Sequence, residues 1–188
     1  MKKTILILLA VLAAQSVTVA RADKTSFNVL LAGGSEQNMI RIWLTPDGRS
    51  YVIDSIVPLE VGGTVCENPP GNENELICQA PMIAGFEVNA GSGSDTVTVA
   101  RDVPIPVTVR GGAGPDILVG GAGPDKLLGG DGNDRLAGRG GSDLIFGGDG
   151  SDTLFGGPDK DVLRGGLGSD NLGGGTSADN VRQDKVEL

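Results

Sequence analysis

The sequence predicts an all-β protein whose C-terminal part is a right-handed parallel β-roll, and three observations support this prediction. A nine-residue unit, Gly-Gly-x-Gly-x-Asp-x-aliphatic-x, repeats eight times between Gly111 and Arg182 without an insertion. The sixth place of the unit always holds Asp, and the eighth place always holds Leu, Ile or Val. A carboxylate and an apolar residue that keep one phase over so many copies indicate a regular coil with a continuous core.

Each unit divides into a turn and a short strand. The segment Gly-Gly-x-Gly-x-Asp permits positive φ and close backbone approach, because glycine has no Cβ, so it forms the turn. The three residues that remain form a strand too short to close a coil alone. The chain must therefore run out along one wall and return along the other, so one coil takes two units, or 18 residues.

The sixth-place aspartates are the candidate metal ligands. Coils stack about 4.8 Å apart, and two carboxylates at that separation repel by roughly 1 kcal/mol in water and about 3 to 4 kcal/mol at an effective dielectric of 20. A hard divalent cation between them takes six to eight oxygens, which carboxylates and turn carbonyls can supply. One edge of the roll stacks Asp116, Asp134, Asp152 and Asp170, and the other stacks Asp125, Asp143, Asp161 and Asp179.

The spacing predicts that metal sites lie between turns two units apart, which gives at most six sites. The predicted pairs are Asp116 with Asp134, Asp125 with Asp143, Asp134 with Asp152, Asp143 with Asp161, Asp152 with Asp170, and Asp161 with Asp179. Calcium fits this ligand set, whereas zinc does not, since the chain has no His and its two Cys lie outside the array. An EF-hand starting at Asp131 is excluded because its sixth place holds Leu136 and its twelfth holds Ser142.

Two simpler interpretations of the glycine-rich segment are a flexible linker and a phosphate-binding loop. A linker does not keep an aliphatic residue at a fixed phase. A phosphate loop feeds a helix, for which three-residue strands leave no room. Both interpretations are therefore disfavoured.

The unit resembles the hemolysin-type calcium-binding nonapeptide repeat of the RTX family, over residues 111–182. The resemblance implies a calcium-binding β-roll with calcium as its cofactor. Three residues depart from the glycine pattern: Arg139 at the second place of the fourth unit, and Asp159 and Ser177 at the fourth place of the sixth and eighth units. Asp tolerates left-handed backbone better than most residues, so the sixth unit is expected to fold, whereas Arg139 and Ser177 leave the sites beside them open to question.

Residues 1–22 are predicted to be a secretory signal peptide. Lys2 and Lys3 precede an apolar run from Thr4 to Ala14, and Ala20-Arg21-Ala22 forms a small-x-small cleavage site. A membrane anchor is the alternative, but the run is far shorter than the roughly 20 apolar residues that span a bilayer. The predicted location is extracellular, with the periplasm as the alternative.

The charge of the chain limits its partners. The formal net charge is −9, and removal of the predicted leader with Lys2, Lys3 and Arg21 takes it to −12. A strongly acidic protein repels nucleic acid and anionic membranes. Calcium ions are therefore the expected partners, and a protein or cell-surface partner remains unknown.

Residues 23–89 are predicted to be a small β module, with strands at 27–32, 39–45 and 50–54 and a hairpin turn at Pro46-Asp47-Gly48. Trp43 and Tyr51 are expected in its core, with an aromatic ligand platform as the alternative. In an exported protein, Cys66 and Cys78 should pair as a disulfide, which contributes roughly 2 to 3 kcal/mol. A redox role is disfavoured, since the spacing is not Cys-x-x-Cys.

Residues 90–110 are predicted to be a degenerate first coil, and 183–188 a C-terminal tail. The segment Gly91–Asp95 is a worn copy of the turn, and strands are expected at 86–89, 96–100 and 105–110. Asp95 lies 21 residues before Asp116, so residues 102–106 are interpreted as a small insertion. Asp95 itself is an uncertain calcium ligand.

The sequence contains no recognisable catalytic constellation, so a non-enzymatic function is predicted. The absence of His removes the usual general base and any Ser-His-Asp triad. Paired carboxylates can hydrolyse glycosides, but the aspartates are assigned to metal turns. The prediction is an exported calcium-binding protein whose array folds on calcium. The alternatives are a calcium-stiffened adhesin or surface protein with a binding N-terminal module and, less favoured, an extracellular hydrolase.

Overall fold

The computed structural model shows a β-solenoid built from two sheets whose strands are parallel throughout the repeat array. It describes residues 17–18, 27–32, 35, 37–55, 59–60, 66–72 and 74–183. Within these residues the helical element is a single 3-10 turn, Ala80–Met82, and no helix is long and apolar enough to cross a membrane. The predicted cleavage site at 20–22 and the tail beyond Gln183 lie outside the described residues.

Successive strands of the array lie alternately in the two sheets, which we call sheet one and sheet two. Sheet one consists, in spatial order, of Phe27–Ala32, Ile83–Ser92, Val107–Ala113, Lys126–Asp131, Leu144–Asp149, Val162–Leu167 and Asn180–Arg182. Sheet two consists of Cys66–Glu67, Glu75–Gln79, Ser50–Ser55, Met39–Leu44, Thr96–Val99, Ile117–Val119, Arg135–Ala137, Thr153–Gly157 and Asn171–Gly175. The short strands Val17–Thr18 and Leu59–Glu60 pair separately. The predicted all-β parallel β-roll is confirmed.

The strand register confirms that one coil takes two units. Leu127 is paired with Ile145 and Ile145 with Leu163 in sheet one, and the same step of 18 residues joins neighbouring strands of sheet two. The prediction of three-residue strands is right for Arg135–Ala137 but wrong for six-residue strands such as Lys126–Asp131. The longer strands continue through the glycine pair of the next unit, because glycine lets the backbones of adjacent coils stay paired there.

The eighth-place aliphatic residues form the core of the roll. Six of them are buried, with relative exposures of 0 or 1%: Leu118, Leu127, Leu136, Ile145, Leu154 and Leu163. Leu172 is only partly buried, and Val181 is 44% exposed. Val181 lies in the terminal strand of sheet one, where no further described coil covers it, so its predicted place in the core is wrong.

The N-terminal strands continue both sheets of the roll. Phe27–Ala32 pairs in parallel with Ile83–Ser92, and Met39–Leu44 pairs in parallel with Thr96–Val99. An antiparallel hairpin then turns back from Met39–Leu44 to Ser50–Ser55. One hydrophobic core extends from these strands into the array. The predicted domain boundaries at residues 89 and 110 stay predictions.

The predicted aromatic core and disulfide lie in this N-terminal part. Tyr51 is buried and meets Phe86 edge to face, with ring centroids 5.3 Å apart, whereas Trp43 is only half-buried. Cys66 and Cys78 face each other across two antiparallel strands and form the disulfide. This bond joins two neighbouring strands at one edge of sheet two, Cys66–Glu67 and Glu75–Gln79.

Candidate metal centre

The aspartates form two columns along the roll. Column A contains Asp95, Asp116, Asp134, Asp152 and Asp170, and column B contains Asp125, Asp143, Asp161 and Asp179. Within each column the backbone N–H of one aspartate donates to Oδ1 of the aspartate in the next coil. The distance is 2.8 Å from Asp116 to Asp134 and 2.8 Å from Asp125 to Asp143. The structure therefore stacks each of the two predicted sets of aspartates along its own edge of the roll.

The second oxygen of most of these carboxylates has no hydrogen-bond partner. Among the described residues, a buried and unpartnered Oδ2 occurs in Asp95, Asp116, Asp134, Asp143, Asp152 and Asp161. Burial of an ionised carboxylate without a partner is strongly unfavourable. A cation beside each Oδ2 would remove this cost.

Within the array, Oδ2 of each of these aspartates lies close to the first-place glycine of its own unit, and the same holds for Asp125, although its Oδ2 accepts an N–H. A Cβ built on Gly111 would collide with Oδ2 of Asp116 and would lie 2.8 Å from the carbonyl oxygen of Gly129, in the next coil. The first-place glycine thus keeps open a space that a carboxylate and a carbonyl oxygen border. We call this space a carboxylate–carbonyl gap. Six occur: Asp116 with Gly129, Asp125 with Gly138, Asp134 with Gly147, Asp143 with Gly156, Asp152 with Gly165, and Asp161 with Gly174.

The gaps fit the ligand set of calcium. Each gap joins oxygens of two turns that are two units apart, and the first-place glycine carbonyl is a ligand candidate that the sequence did not identify. The predicted metal sites stay predictions. Within the described part of the chain, no three His, Cys, Asp or Glu side chains cluster so as to hold a metal by themselves. Coordination would therefore depend on backbone oxygen, which calcium accepts readily and structural zinc sites rarely use.

The turns of column A are more regular than those of column B. In the third unit, Gly130 and Gly132 have φ of 119° and 134°, and the same two places have left-handed backbone in every column A turn of the array. In column B, Arg139 and Asp159 have left-handed φ of 78° and 75°. Such backbone is strained for residues other than glycine.

Burial raises the pKa of seven column aspartates: Asp95, Asp116, Asp125, Asp134, Asp143, Asp152 and Asp161. The pKa of Asp125 and of Asp134 is raised to about 6, and that of Asp143 to about 7. Backbone N–H groups oppose this shift, and the neighbouring carboxylates of Asp125 and Asp161 add to it at Asp143. Burial thus disfavours the ionised carboxylates, and a bound cation would stabilise them.

The structure also places two residues whose role the sequence left open or missed. Asp95, at the head of column A, donates its N–H to Oδ1 of Asp116 at 2.8 Å, so the column continues across the 21-residue spacing. Asn38 occupies the same register one coil earlier, and its N–H donates to Oδ1 of Asp95 at 2.6 Å. Each column aspartate directly precedes a strand, and Asn38 precedes Met39–Leu44 in the same way.

A parallel β-roll whose turns carry stacked carboxylates beside backbone carbonyls defines a calcium-binding repeat protein. The family comparison agrees, because residues 110–145, 138–172 and 146–181 match the model described as RTX calcium-binding nonapeptide repeat, in four copies. Residues 110–181 are therefore an RTX repeat array, and the resemblance seen in the sequence is confirmed. Neither the comparison with curated proteins nor that with solved structures gives a significant match.

Proposed function

We propose that this chain is an exported calcium-binding β-roll protein whose repeat array folds when calcium binds. The observation that carries the proposal is the buried, unpartnered Oδ2 beside a first-place glycine carbonyl, repeated along both columns. The candidate ligands are the eight aspartates that the sequence singles out, together with these carbonyl oxygens. Those aspartates are Asp116, Asp125, Asp134, Asp143, Asp152, Asp161, Asp170 and Asp179.

Coupling of folding to calcium follows from the arrangement of charge. Folding the array without a cation buries a row of carboxylates one above another, and their raised pKa values express the cost of that burial. A divalent ion in a gap neutralises charge and bonds oxygens of two adjacent coils, which are brought together only in the folded roll. Ion binding and folding are then one equilibrium, as in other metal-dependent folds.

Export is supported by two features. The sequence begins with a predicted secretory signal, and the Cys66–Cys78 disulfide is of a kind that persists in oxidising compartments. RTX arrays are typical of secreted proteins, and extracellular calcium concentrations match sites whose dissociation constants are roughly 0.1 to 1 mM. The proposed location is extracellular, with the periplasm as the alternative.

A non-enzymatic role is proposed, since RTX β-rolls are typically structural. The adhesin alternative expected an exposed apolar patch between residues 23 and 89. Among the described residues of that range, Met39 is the large hydrophobic residue that is exposed, with a relative exposure of 41%. One side chain does not form a patch, so no observation raises the adhesin above the calcium-binding proposal.

Calorimetric titration of the purified protein with calcium tests the proposal, with magnesium as the control ion. The matched variants are D134N, which removes a column carboxylate, and D149N, which removes an exposed carboxylate of a column A turn. Calcium should bind at millimolar concentration or below, with fewer ions in D134N and an unchanged number in D149N. No binding by the wild type, or equal losses in both variants, would overturn the proposal.

A further inference from the structure

Arg139 holds its guanidinium against backbone carbonyls at the N-terminal end of column B. Its Nη1 donates to the carbonyl oxygen of Val99 at 2.6 Å and to that of Gly120 at 3.3 Å. The residue has a left-handed φ of 78°, a conformation in which glycine, the usual residue at this place, would be unstrained. The chain thus keeps an arginine here at a conformational cost.

The two carbonyls belong to the row that borders the carboxylate–carbonyl gaps. Gly120 is the first-place glycine of the second unit, and Val99 occupies its register one coil earlier, since Thr98 pairs with Val119. In the later coils of column B, the equivalent carbonyls of Gly138, Gly156 and Gly174 lie beside aspartate Oδ2 atoms. The guanidinium therefore supplies positive charge and N–H donors to oxygens of the kind that would otherwise face calcium.

Both carboxylate oxygens of Asp125, the first aspartate of column B, already accept hydrogen bonds from the chain. Its Oδ1 accepts the N–H of Val107 at 2.8 Å, and its Oδ2 accepts the N–H of Gly121 at 2.7 Å. Oδ2 of Asp143, one coil later, is buried and has no partner. The two ends of the site that the sequence predicts between Asp125 and Asp143 are therefore chemically different.

The insertion at residues 102–106 explains why the second turn differs. The N–H of Ala122 donates to the carbonyl oxygen of Val103 at 2.8 Å. A Cβ on Gly123 would lie 2.6 Å from the carbonyl oxygen of Ile105. The inserted backbone thus packs directly on the second turn, and Gly121 and Gly123 do not have the left-handed φ of the glycines in column A turns.

We propose that N–H donors of the chain itself replace calcium at the head of column B. The N–H of Gly121 satisfies Oδ2 of Asp125, so the predicted site between Asp125 and Asp143 takes no ion. The Arg139 guanidinium satisfies the carbonyls of Val99 and Gly120, which lie before the Gly138 carbonyl of that site. Calcium on this edge is held from Asp143 onward. This inference rests on the proposed function and lowers the expected number of array sites from six to five.

Amide groups close column A in a comparable way. Nδ2 of Asn38 donates to the carbonyl oxygen of Ala90 at 3.0 Å, and register places Ala90 opposite Gly111, the first-place glycine of the next coil. At the other end, Nε2 of Gln183 donates to Oδ2 of Asp170 at 2.6 Å. Side-chain N–H donors thus contact the carbonyl or carboxylate oxygens at these ends of the columns.

The first test compares the number of calcium ions bound by the wild type, D125N, D143N and D134N. The proposal expects D125N to bind as many ions as the wild type, and D143N and D134N to bind fewer. A loss in D125N equal to that in D134N would refute the replacement of calcium at Asp125 while leaving calcium binding intact. Failure of the wild type to bind calcium would remove the proposed function and this inference together.

The second test replaces the arginine. R139G restores the residue that suits the left-handed backbone, so the variant should fold, and R139N serves as a second variant because Asn tolerates this conformation. Both should bind as many ions as the wild type, because Val107 stands where the coil before Asp125 would need an aspartate. In saturating calcium, amides of residues 96–125 should exchange faster than in the wild type, since the carbonyls of Val99 and Gly120 lose their donor. A gain of one ion, or unchanged exchange in both variants, would overturn the proposal.

Discussion

The backbone N–H of Asp116 donates a 2.8 Å hydrogen bond to Oδ1 of Asp134, one coil later, while Oδ2 of each residue is buried without a partner. The two oxygens of one carboxylate thus have different roles. Oδ1 joins adjacent coils through the backbone, and Oδ2 faces the carboxylate–carbonyl gap. This division makes it possible to separate the structural contribution of an aspartate from its proposed metal contact.

Substitution of Asp134 should separate the two roles. D134N keeps an oxygen that can accept the N–H of Asp116, whereas D134A leaves that buried N–H unsatisfied, at a cost of about 1 to 3 kcal/mol. Both variants should lose calcium to the same extent. In saturating calcium, D134A should have the lower free energy of unfolding by about that amount, as measured by chemical denaturation. Equal stabilities would show that the Oδ1 bond contributes little.

The first-place glycine should be required because of the space it leaves. A Cβ at Gly129 would collide with Oδ2 of Asp134 and lie 2.5 Å from the carbonyl oxygen of Gly147, so G129A should abolish binding in that gap. Gly140 is the matched control, because its Cβ would meet only ordinary contacts, the nearest at 3.4 Å. Calcium titration should show fewer ions in G129A and no change in G140A, with circular dichroism confirming that both fold in calcium. Identical ion counts would argue against the gaps as sites.

Without calcium, the stability of the roll should fall as pH rises. Asp125 and Asp143 have folded-state pKa values of about 6 and about 7, above the ordinary value of 3.8. Between these values the folded chain binds more protons than the unfolded chain, so the stabilisation present at low pH is lost as pH rises through the folded pKa values. Denaturation in chelator at several pH values from about 4 to 8 measures this trend.

Calcium should reverse that trend, because calcium and protons compete for the same carboxylates. Its affinity should therefore increase as pH rises through about 6 to 7. Calorimetric titrations across this range give the direct measurement. A calcium affinity independent of pH, or metal-free stability that increases with pH, would contradict the assignment of the raised pKa values to carboxylates in the binding gaps.

At neutral pH and above, where the column carboxylates ionise, chelation should unfold the array before the N-terminal part. Amides of residues 111–182 should exchange rapidly with solvent in chelator and become protected in millimolar calcium. Residues 39–55 and 75–79, held by the antiparallel hairpin and the Cys66–Cys78 disulfide, should stay protected in both conditions. Hydrogen exchange on the whole chain makes the comparison, with disulfide reduction as the control. Array protection that survives chelation would mean that calcium is not needed for folding.

Much of the roll follows from the sequence because a repeat is a local pattern. The nine-residue period sets the coil length, and the constant phase places Asp134 in a turn and Leu136 in the core. Each coil contacts mainly its neighbours, so a pattern that is correct for one coil is correct for the next. The two aspartate columns, the parallel sheets and the calcium-type ligand set could therefore be derived without coordinates.

Tertiary structure decided what depends on residues far apart in the chain. Arg139 contacts the carbonyl of Val99, 40 residues earlier, and Asn38 contacts Asp95, 57 residues later, so no local pattern reveals either contact. The same holds for the division of labour between Oδ1 and Oδ2, which arises only when two coils stack. Periodicity specifies the interior of the roll, where every coil has the same neighbours, whereas the ends lack a neighbour on one side and are closed by individual side chains.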